Sequence, residues 1–200
     1  EMCIRDRCMG SAFALKDLEI ASIGLFGACS TMALSLSAGA MLVDGGINCV
    51  VCATSSHFCS SERQFRFPLE YGGQRPPTAQ WTVTGAGSSV VSNSGKGIKI
   101  KAVQIGTITD LGITDANNMG AAMAPAASRT ISAFLKDTKT SPSDYDLILT
   151  GDLGYTGTQL LYELLEKDHN IKLKGFHKDC GMLIYDLKKQ DVNSGGSGCG

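Results

Sequence analysis

One stretch indicates the fold class, Ala21-Ser-Ile-Gly-Leu-Phe-Gly-Ala-Cys-Ser-Thr31, together with the residues after it. Its apolar first part, Ala21 to Phe26, predicts a buried strand that runs into a tight turn at Gly27. Apolar residues then recur at near-helical spacing, at positions 32, 36, 40 and 43, until Gly45-Gly46 ends the pattern. Because Cys49 to Thr54 predicts the next strand, the unit is a βαβ crossover with parallel strands, and the fold class is α/β.

The rest of the chain predicts further strands and helices. A hairpin is expected from two strands, Trp81 to Val91 and Ile98 to Ile108, joined by a turn at Asn93 to Lys96. Asn118 is expected to cap a helix from about Ala121 to Lys136. Four more segments follow: Ser141-Pro142 as a cap and first turn, a buried strand at Asp146 to Thr150, an amphipathic helix at Thr158 to Lys167, and an extended segment at Gly181 to Tyr185.

Composition and charge exclude several classes of protein. The chain has 200 residues, of which 43% are hydrophobic, enough for one substantial core. Its formal net charge of −1 provides no overall field that would attract nucleic acid or an anionic membrane surface. The most apolar region, Ile23 to Ala53, is interrupted by glycines and polar residues, so no run reaches the roughly 20 residues that a membrane span needs. We expect no nucleic-acid partner, no transmembrane helix and no secretory signal.

Cysteine usage argues against a metal centre. Among the eight cysteines, Cys49, Cys52 and Cys180 lie in apolar stretches, where a free thiol behaves as a small hydrophobic side chain in a reducing compartment. Cys49-Val-Val-Cys52 has the C-x-x-C spacing, but residues three apart on a strand point to opposite faces. Two such thiols cannot bind one ion, so we expect no metal site and no cofactor.

The predicted strand-to-helix turn places Cys29 where a thiol can be reactive. There it lies at the positive end of a helix macrodipole, which stabilises a thiolate. The alternative is a small buried residue without a chemical role. Acyl transfer would also need a base, normally His. His57 follows a predicted strand and can border a pocket at the carboxyl end of the sheet, whereas His169 and His177 are expected to be solvated.

A long loop, residues 55–80, carries a pair of arginines. It has no periodicity and is too long for a simple connector, which is typical of functional loops. Arg63 and Arg66 share a face if this stretch is helical and oppose each other if it is extended. Two guanidinium groups suit a ligand with two carboxylates. Surface ion pairs with Glu62 or Glu70 explain the same residues equally well.

Several longer runs resemble one protein family. Gly27-Ala-Cys-Ser-Thr31 is similar to the nucleophile elbow of thiolases and ketoacyl synthases. From Leu15 onward, nearly the whole chain resembles the stage V sporulation protein AD family. The runs that carry this likeness are Ala53-Thr-Ser-Ser-His57, Glu62-Arg-Gln-Phe-Arg66, Glu70-Tyr-Gly-Gly-Gln74, Thr82-Val-Thr-Gly85, Asn118-Met-Gly-Ala-Ala-Met-Ala-Pro-Ala126, Tyr145-Asp-Leu-Ile-Leu-Thr-Gly-Asp152 and Gly195-Gly-Ser-Gly-Cys199.

The resemblance implies a fold. The family has the thiolase-like fold, a layered αβαβα sandwich of two similar halves, which would be truncated at both ends in this chain. Residues 12–95 would belong to the N-terminal half and residues 96–200 to an incomplete C-terminal half. Residues 1–11 are expected to be non-native, because Met2-Cys-Ile-Arg-Asp-Arg7 looks like the translation of an oligonucleotide used in sequencing-library preparation.

The resemblance also implies a function. The family is associated with binding dipicolinic acid, pyridine-2,6-dicarboxylate, for uptake into the developing spore. This implies a non-catalytic binding protein, peripheral to the forespore or spore inner membrane. The implied partners are dipicolinic acid, alone or as its calcium chelate, the other stage V sporulation A transport proteins, and a second copy in a homodimer.

The likeness to condensing enzymes ends at two catalytic positions. Those enzymes place a catalytic His where this chain has Gly151-Asp152, and an Asn or His where it has Gly195-Gly-Ser197. Without a base, Cys29 would be a vestigial nucleophile. The old cavity would then be a ligand pocket. Its candidate ligand-binding residues are Cys29, His57, Arg63, Arg66, Asp152 and Ser197.

Asp152 would repel a dianion unless it is protonated, is held by an arginine, or touches bound calcium.

Two other functions stay open at this point. The main alternative is a thiolase-like acyltransferase that uses Cys29 covalently. The other is a scaffold that only assembles transport proteins at the spore membrane.

Overall fold

The computed structural model describes residues 15–58 and 74–198. Within these ranges the helices are α1 (Thr31–Asp44), α2 (Met119–Thr138), α3 (Gly154–His169) and α4 (Cys180–Leu183). The strands are β1 (Cys49–Ser56), β2 (Trp81–Thr82), β3 (Gly85–Ser92), β4 (Ile148–Thr150), β5 (His177–Asp179) and β6 (Gly196–Ser197). Three short 3₁₀ turns cover Lys16–Leu18, Ala28–Ser30 and Pro142–Asp144. The chain therefore has a mixed α/β structure.

The described residues form two compact units. The first contains residues 15–58, 82–103 and 198, and the second contains residues 74–81 and 104–197. None of the helices in these two ranges is both long enough and apolar enough to cross a membrane.

In the first unit, helix α1 packs on a two-stranded sheet. Strands β1 and β3 pair antiparallel, from Cys49 opposite Ser92 to Ser56 opposite Gly85. Gly39 allows the close approach of the helix, because a Cβ at this position would lie 2.5 Å from Cys52 Sγ. The Cys52 thiol also donates a hydrogen bond of 3.1 Å to the Ser35 carbonyl. Cys49 is exposed and Cys52 is buried, which confirms that the two thiols lie on opposite faces.

Three predictions for this unit are wrong. Residues 21–26 form no strand, and Ile23 is 70% exposed. The predicted parallel βαβ crossover is absent from the described residues, because β1 pairs antiparallel with β3. The predicted hairpin is also absent, since residues 98–108 are not a strand. An apolar segment becomes a strand only where a neighbouring backbone can accept its hydrogen bonds, and β3 forms its ladder with β1.

In the second unit, α2 and α3 pack closely at two glycines. A Cβ on Gly120 would lie 2.7 Å from both Gly157 N and the Leu153 carbonyl oxygen, so only glycine permits this contact. The buried core lies beside this contact. It consists of Ala124, Leu153, Leu161, Leu165 and Leu173. Strands β4 and β5 pair in parallel, with Ile148 opposite His177 and Thr150 opposite Asp179.

Most helix predictions for this unit are confirmed. The Asn118 side chain accepts a hydrogen bond from Ala121 N and caps α2. Ser141 and Asp144 form a capping box at the predicted Ser-Pro turn. Helix α3 buries Leu161 and Leu165 as its apolar stripe predicts. The strand predicted at 146–150 is shorter, and Leu149 on it is exposed.

The segment from Gly181 to Tyr185 was predicted to be extended, and this is wrong. Residues Cys180–Leu183 form the short helix α4, whose first turn is anchored when Gly181 N donates a 2.9 Å hydrogen bond to the Gly151 carbonyl. That bond holds the segment to the turn after β4 and does not extend the ladder of β5.

Candidate functional site

Asp179 organises the turn that follows strand β4. This turn, Gly151 to Gly154, is called the Asp152 turn below. The Thr150 hydroxyl donates to Asp179 Oδ1 at 2.6 Å, Leu153 N donates to the same oxygen at 3.0 Å, and Gly154 N donates to Oδ2 at 2.9 Å. Asp179 is only 2% exposed. Its carboxylate therefore accepts the first free amides of α3, where negative charge is favourable.

His177 extends this network away from the turn. Its Nε2 lies 2.9 Å from Thr150 Oγ1, and its Nδ1 lies 3.1 Å from the Tyr162 hydroxyl. The Tyr162 and His177 rings also meet edge to face, with centroids 5.5 Å apart. We call Tyr162, His177, Thr150 and Asp179 the polar relay. Both ring nitrogens of His177 are engaged within it.

Burial shifts the pKa of three groups in and beside the relay. It lowers the pKa of His177, and the nearby Asp179 charge opposes that effect only in part. It raises the pKa of Tyr162, and Asp179 adds to the increase. Burial also raises the pKa of the Cys180 thiol, with further contributions from Asp179 and Asp152. Each of these side chains is therefore held in its neutral form near neutral pH.

Gln80 joins the Asp152 turn to the strand β6. Its Nε2 donates to the Asp152 carbonyl at 2.8 Å and to the Gly196 carbonyl at 2.9 Å. These two acceptors fix the orientation of the amide, because the oxygen of Gln80 could not replace its nitrogen there. The structure thus brings together, in one unit, the two segments that contain the predicted site residues Asp152 and Ser197.

Ser194 forms a second link to the start of α3. Its carbonyl accepts from Tyr155 N at 2.7 Å, and its hydroxyl oxygen accepts from Thr156 N at 2.9 Å. Nearby, Trp81 N donates to the Gly195 carbonyl at 2.9 Å. These backbone contacts hold the Gly-rich segment before Ser197 in a defined conformation.

Two polar atoms in this region have no hydrogen-bond partner among the residues that the structure describes. They are the hydroxyl oxygen of Ser197, a residue only 1% exposed, and the side-chain oxygen of Gln80. A buried hydroxyl without a partner costs about 1 to 3 kcal/mol. Ser197 can donate a hydrogen bond, and Gln80 Oε1 can accept one. These two atoms are therefore candidate contacts for a polar ligand.

In the first unit, Cys29 lies directly before a helix as the sequence predicts, but the strand predicted on the other side of its turn is not formed. It belongs to the 3₁₀ turn Ala28–Ser30, directly before α1 begins at Thr31. Ala28 has a φ of +47°, a conformation that costs a residue with a Cβ about 1 to 2 kcal/mol. Backbone strain of this kind is typical of functional turns. His57 follows β1 directly and is exposed.

The structure describes some of the remaining predicted positions and not others. Arg63 and Arg66 lie outside the described residues. His169 is exposed at the end of α3, as predicted. The prediction that His177 is solvated is wrong, because it is 7% exposed and lies on strand β5. In the ranges 15–58 and 74–198, no group of three or more His, Cys, Asp and Glu side chains is arranged to hold a metal ion.

Sequence reasoning missed Asp179 and Gln80. His177-Lys-Asp179 is a short polar run with none of the apolar alternation that predicts a strand. It becomes a buried strand only through its pairing with β4, which is a tertiary contact. Gln80 lies in a loop beside two prolines and carries no local signal.

Comparison with known proteins gives the chain a family. Residues 4–200 match the family described as Stage V sporulation protein AD. The chain is also 47% identical, over 189 residues, to the Stage V sporulation protein AD of Bacillus subtilis (strain 168). That match covers 94% of this chain and 55% of the relative, so the chain spans about half of the relative's length. The chain belongs to the stage V sporulation protein AD family.

Proposed function

We propose that this protein binds dipicolinic acid and acts in its uptake into the developing spore. Membership of the stage V sporulation protein AD family supports a role in sporulation. The main structural support for this ligand is the buried hydroxyl of Ser197. Gln80 joins the strand that contains Ser197 to the Asp152 turn. A carboxylate oxygen of dipicolinate would accept from this hydroxyl in a charge-assisted hydrogen bond.

Asp152 suggests that calcium enters with the ligand. This residue is buried, and its carboxylate would repel a free dicarboxylate. A calcium ion chelated by dipicolinate reverses the sign of that interaction, because carboxylate oxygens are the ligands that calcium prefers. The calcium chelate of dipicolinate is therefore the bound species that best suits a site with a buried acid and a buried hydroxyl.

We propose that binding occurs without catalysis. The relay engages both nitrogens of His177, and His169 is exposed at a helix end, so neither supports a base beside a nucleophile. By the resemblance to condensing enzymes, Gly151-Asp152 stands where those enzymes have a catalytic His, and Gly195-Gly-Ser197 stands where they have an Asn or His. An ancestral catalytic site retained as a ligand pocket accounts for both features.

An acyltransferase is the second candidate, and one observation favours it. Cys29 lies in a strained turn at the N-terminal end of the 14-residue helix α1, where a thiolate is stabilised. If the protein transfers acyl groups, an acyl-thioester should label Cys29 and leave a Cys29→Ala protein unlabelled. A binding protein should show no such label.

The cellular setting belongs to the same proposal. The thiolase-like layering, a homodimer, a peripheral position at the spore inner membrane and contacts with other stage V sporulation A transport proteins all come from the family resemblance. A scaffold without ligand affinity would share these contacts. Ligand binding therefore separates the two functions.

Site variants in a chain extended to the family's full length test the proposal. Ser197→Ala should weaken dipicolinate binding roughly 10- to 100-fold, the value of one charge-assisted hydrogen bond. Ser88→Ala, an exposed serine on β3, is the matched control and should bind normally. Unchanged affinity in Ser197→Ala would show that the ligand does not bind this hydroxyl and would contradict the proposed contact.

Further variants examine the other predicted residues. Asp152→Asn should weaken binding when calcium is present and strengthen it when calcium is chelated away, because the repulsion between carboxylates is lost. Replacement of Arg63 or Arg66 by Ala should weaken binding if the guanidinium groups pair with the ligand. Unchanged affinity in both arginine variants would remove the arginines from the site.

Cys29→Ala and His57→Ala test the two positions in the first unit separately, by the same measurement of dipicolinate affinity.

A further inference from the structure

The hydrogen bonds of the polar relay can run in only one direction. Asp179 is a carboxylate and can only accept, so the Thr150 hydroxyl uses its single hydrogen on Asp179 Oδ1. Thr150 Oγ1 must then accept from His177 Nε2. A neutral imidazole with its hydrogen on Nε2 has a bare Nδ1, which accepts from the Tyr162 hydroxyl. Every donor in the relay then has its acceptor.

We propose that the polar relay positions the Asp152 turn. Asp179 holds the turn directly. His177, as its Nε2–H tautomer, holds the Thr150 hydroxyl that donates to Asp179. The relay would thereby place Asp152 and its surroundings for ligand binding, a consequence that rests on the proposed function. Asp179 and His177 act through the turn, and neither contacts the ligand.

The contacts of Asp179 explain why it must be a carboxylate. Oδ1 accepts from Thr150 and Leu153, and Oδ2 accepts from Gly154. An asparagine has the same shape but would place its NH₂ against one of these donors in either orientation. One backbone amide of the turn would then be buried without an acceptor. Since Gln80 donates to both the Asp152 and the Gly196 carbonyls, a shift of the turn would also disturb β6.

Thr150 connects the two halves of the relay, and it offers a matched pair of variants. Thr150→Val keeps the shape of the side chain and removes the hydroxyl, so His177 loses its acceptor and Asp179 loses one donor. Thr150→Ser keeps the hydroxyl and should restore the relay. A role in packing alone would give the opposite order, because valine fills the space better than serine.

Nuclear magnetic resonance of the protein, extended to the family's full length, tests the relay directly. The ¹⁵N shifts of His177 should show a neutral ring with the proton on Nε2 in the unmodified protein. In Thr150→Val and Asp179→Asn, the amides of Leu153 and Gly154 should exchange with solvent roughly tenfold faster. In Thr150→Ser they should stay within about twofold of the unmodified protein.

Several outcomes would overturn the proposal. A His177 ring that is charged, or that carries its proton on Nδ1, contradicts the relay even if no variant folds. Equal amide exchange in Thr150→Val and Thr150→Ser contradicts the role of the hydroxyl.

Dipicolinate titration of the same proteins separates this proposal from the proposed function. If the unmodified protein binds, Thr150→Val should weaken binding roughly tenfold and Thr150→Ser should not; equal binding in both overturns the link to the ligand. If the unmodified protein does not bind, the proposed function fails. The tautomer and the amide exchange still decide whether the relay positions the turn.

Discussion

Gly154 shows how a single backbone conformation sets the geometry of the Asp152 turn. Its φ is +62°, and a Cβ at this position would lie 2.5 Å from the Ser194 carbonyl oxygen and 2.8 Å from Gln80 Nε2. Gly154→Ala should therefore combine backbone strain with a steric clash and lower the free energy of unfolding by about 3 kcal/mol. Urea denaturation measures this change.

Gly175→Ala provides the matched control for that variant. Gly175 also has a positive φ, +104°, but a Cβ there would meet no atom within 4 Å. Only the strain term remains, about 1 to 2 kcal/mol. An equal loss in both variants would mean that the close approach of Ser194 and Gln80 contributes nothing.

The burial of His177 predicts a pH dependence of stability. Because burial lowers its pKa in the folded protein below the ordinary value of 6.5, the unfolded chain binds a proton more readily below that pH. The free energy of unfolding should therefore fall as the pH decreases through about 6.5, and the fall should end only below the lowered pKa of the folded state. Replacing His177 by Gln should remove this part of the fall.

His169→Gln is the control for the pH experiment, since His169 is exposed at the end of α3. The control protein should keep the pH dependence of the unmodified protein. A His177→Gln protein with the same pH dependence as the control would show that His177 titrates equally in both states. The relay would then contribute nothing to acid sensitivity.

At the residue scale, the family resemblance names candidate ligand-binding residues but not the residues that hold their segments in place. Asp152 and Ser197 were identified by resemblance, and the structure joins their segments through Gln80. Asp179 and Gln80 were not predicted, because their importance comes from hydrogen bonds to residues 25 or more positions away. Such contacts leave no periodic pattern in the sequence.

At the scale of elements, the contact between α2 and α3 depends on Gly120. Helix propensity alone predicts that Gly120→Ala would stabilise the protein by about 1 kcal/mol. The added Cβ would lie 2.7 Å from backbone atoms of Gly157 and Leu153, which cannot move aside without separating the helices. We expect the steric effect to win, with a net loss of about 2 kcal/mol in the free energy of unfolding.

A second variant on α2 checks that propensity argument. Ser132 is half-buried on the same helix, and its hydroxyl donates only to the Arg129 carbonyl. Ser132→Ala should stabilise the protein by about 0.5 kcal/mol. If Gly120→Ala stabilises the protein as well, the two helices do not depend on glycine for their contact.

Helices were predicted more successfully than strands, for a physical reason. The bonds of α1, α2 and α3 form within each element, so spacing and caps such as Asn118 are sufficient to predict them. A strand needs a partner, and that partner can come from any part of the chain. The predicted strands at 21–26 and 98–108 have none among the described residues, while β1 pairs with β3 in an order that no local pattern specifies.

At the scale of the whole molecule, the ligand binding that we propose concerns a protein of the family's full length. The 200 residues span 55% of the length of the Bacillus subtilis relative. Of the six predicted ligand-binding residues, Asp152 and Ser197 lie in the second unit, and Cys29 and His57 lie in the first. Tests of binding should therefore use a protein extended to the full length of its family.

The most direct test of the central claim is a calorimetric titration of dipicolinate into that full-length protein, with and without calcium. Benzene-1,3-dicarboxylate, which has the same two carboxylates but lacks the ring nitrogen that chelates calcium, is the matched control ligand. We predict saturable binding of dipicolinate that is tighter with calcium and weaker in Ser197→Ala, and little binding of the control. No heat of binding at millimolar dipicolinate, with or without calcium, would contradict a ligand-binding role and favour the acyltransferase or the scaffold.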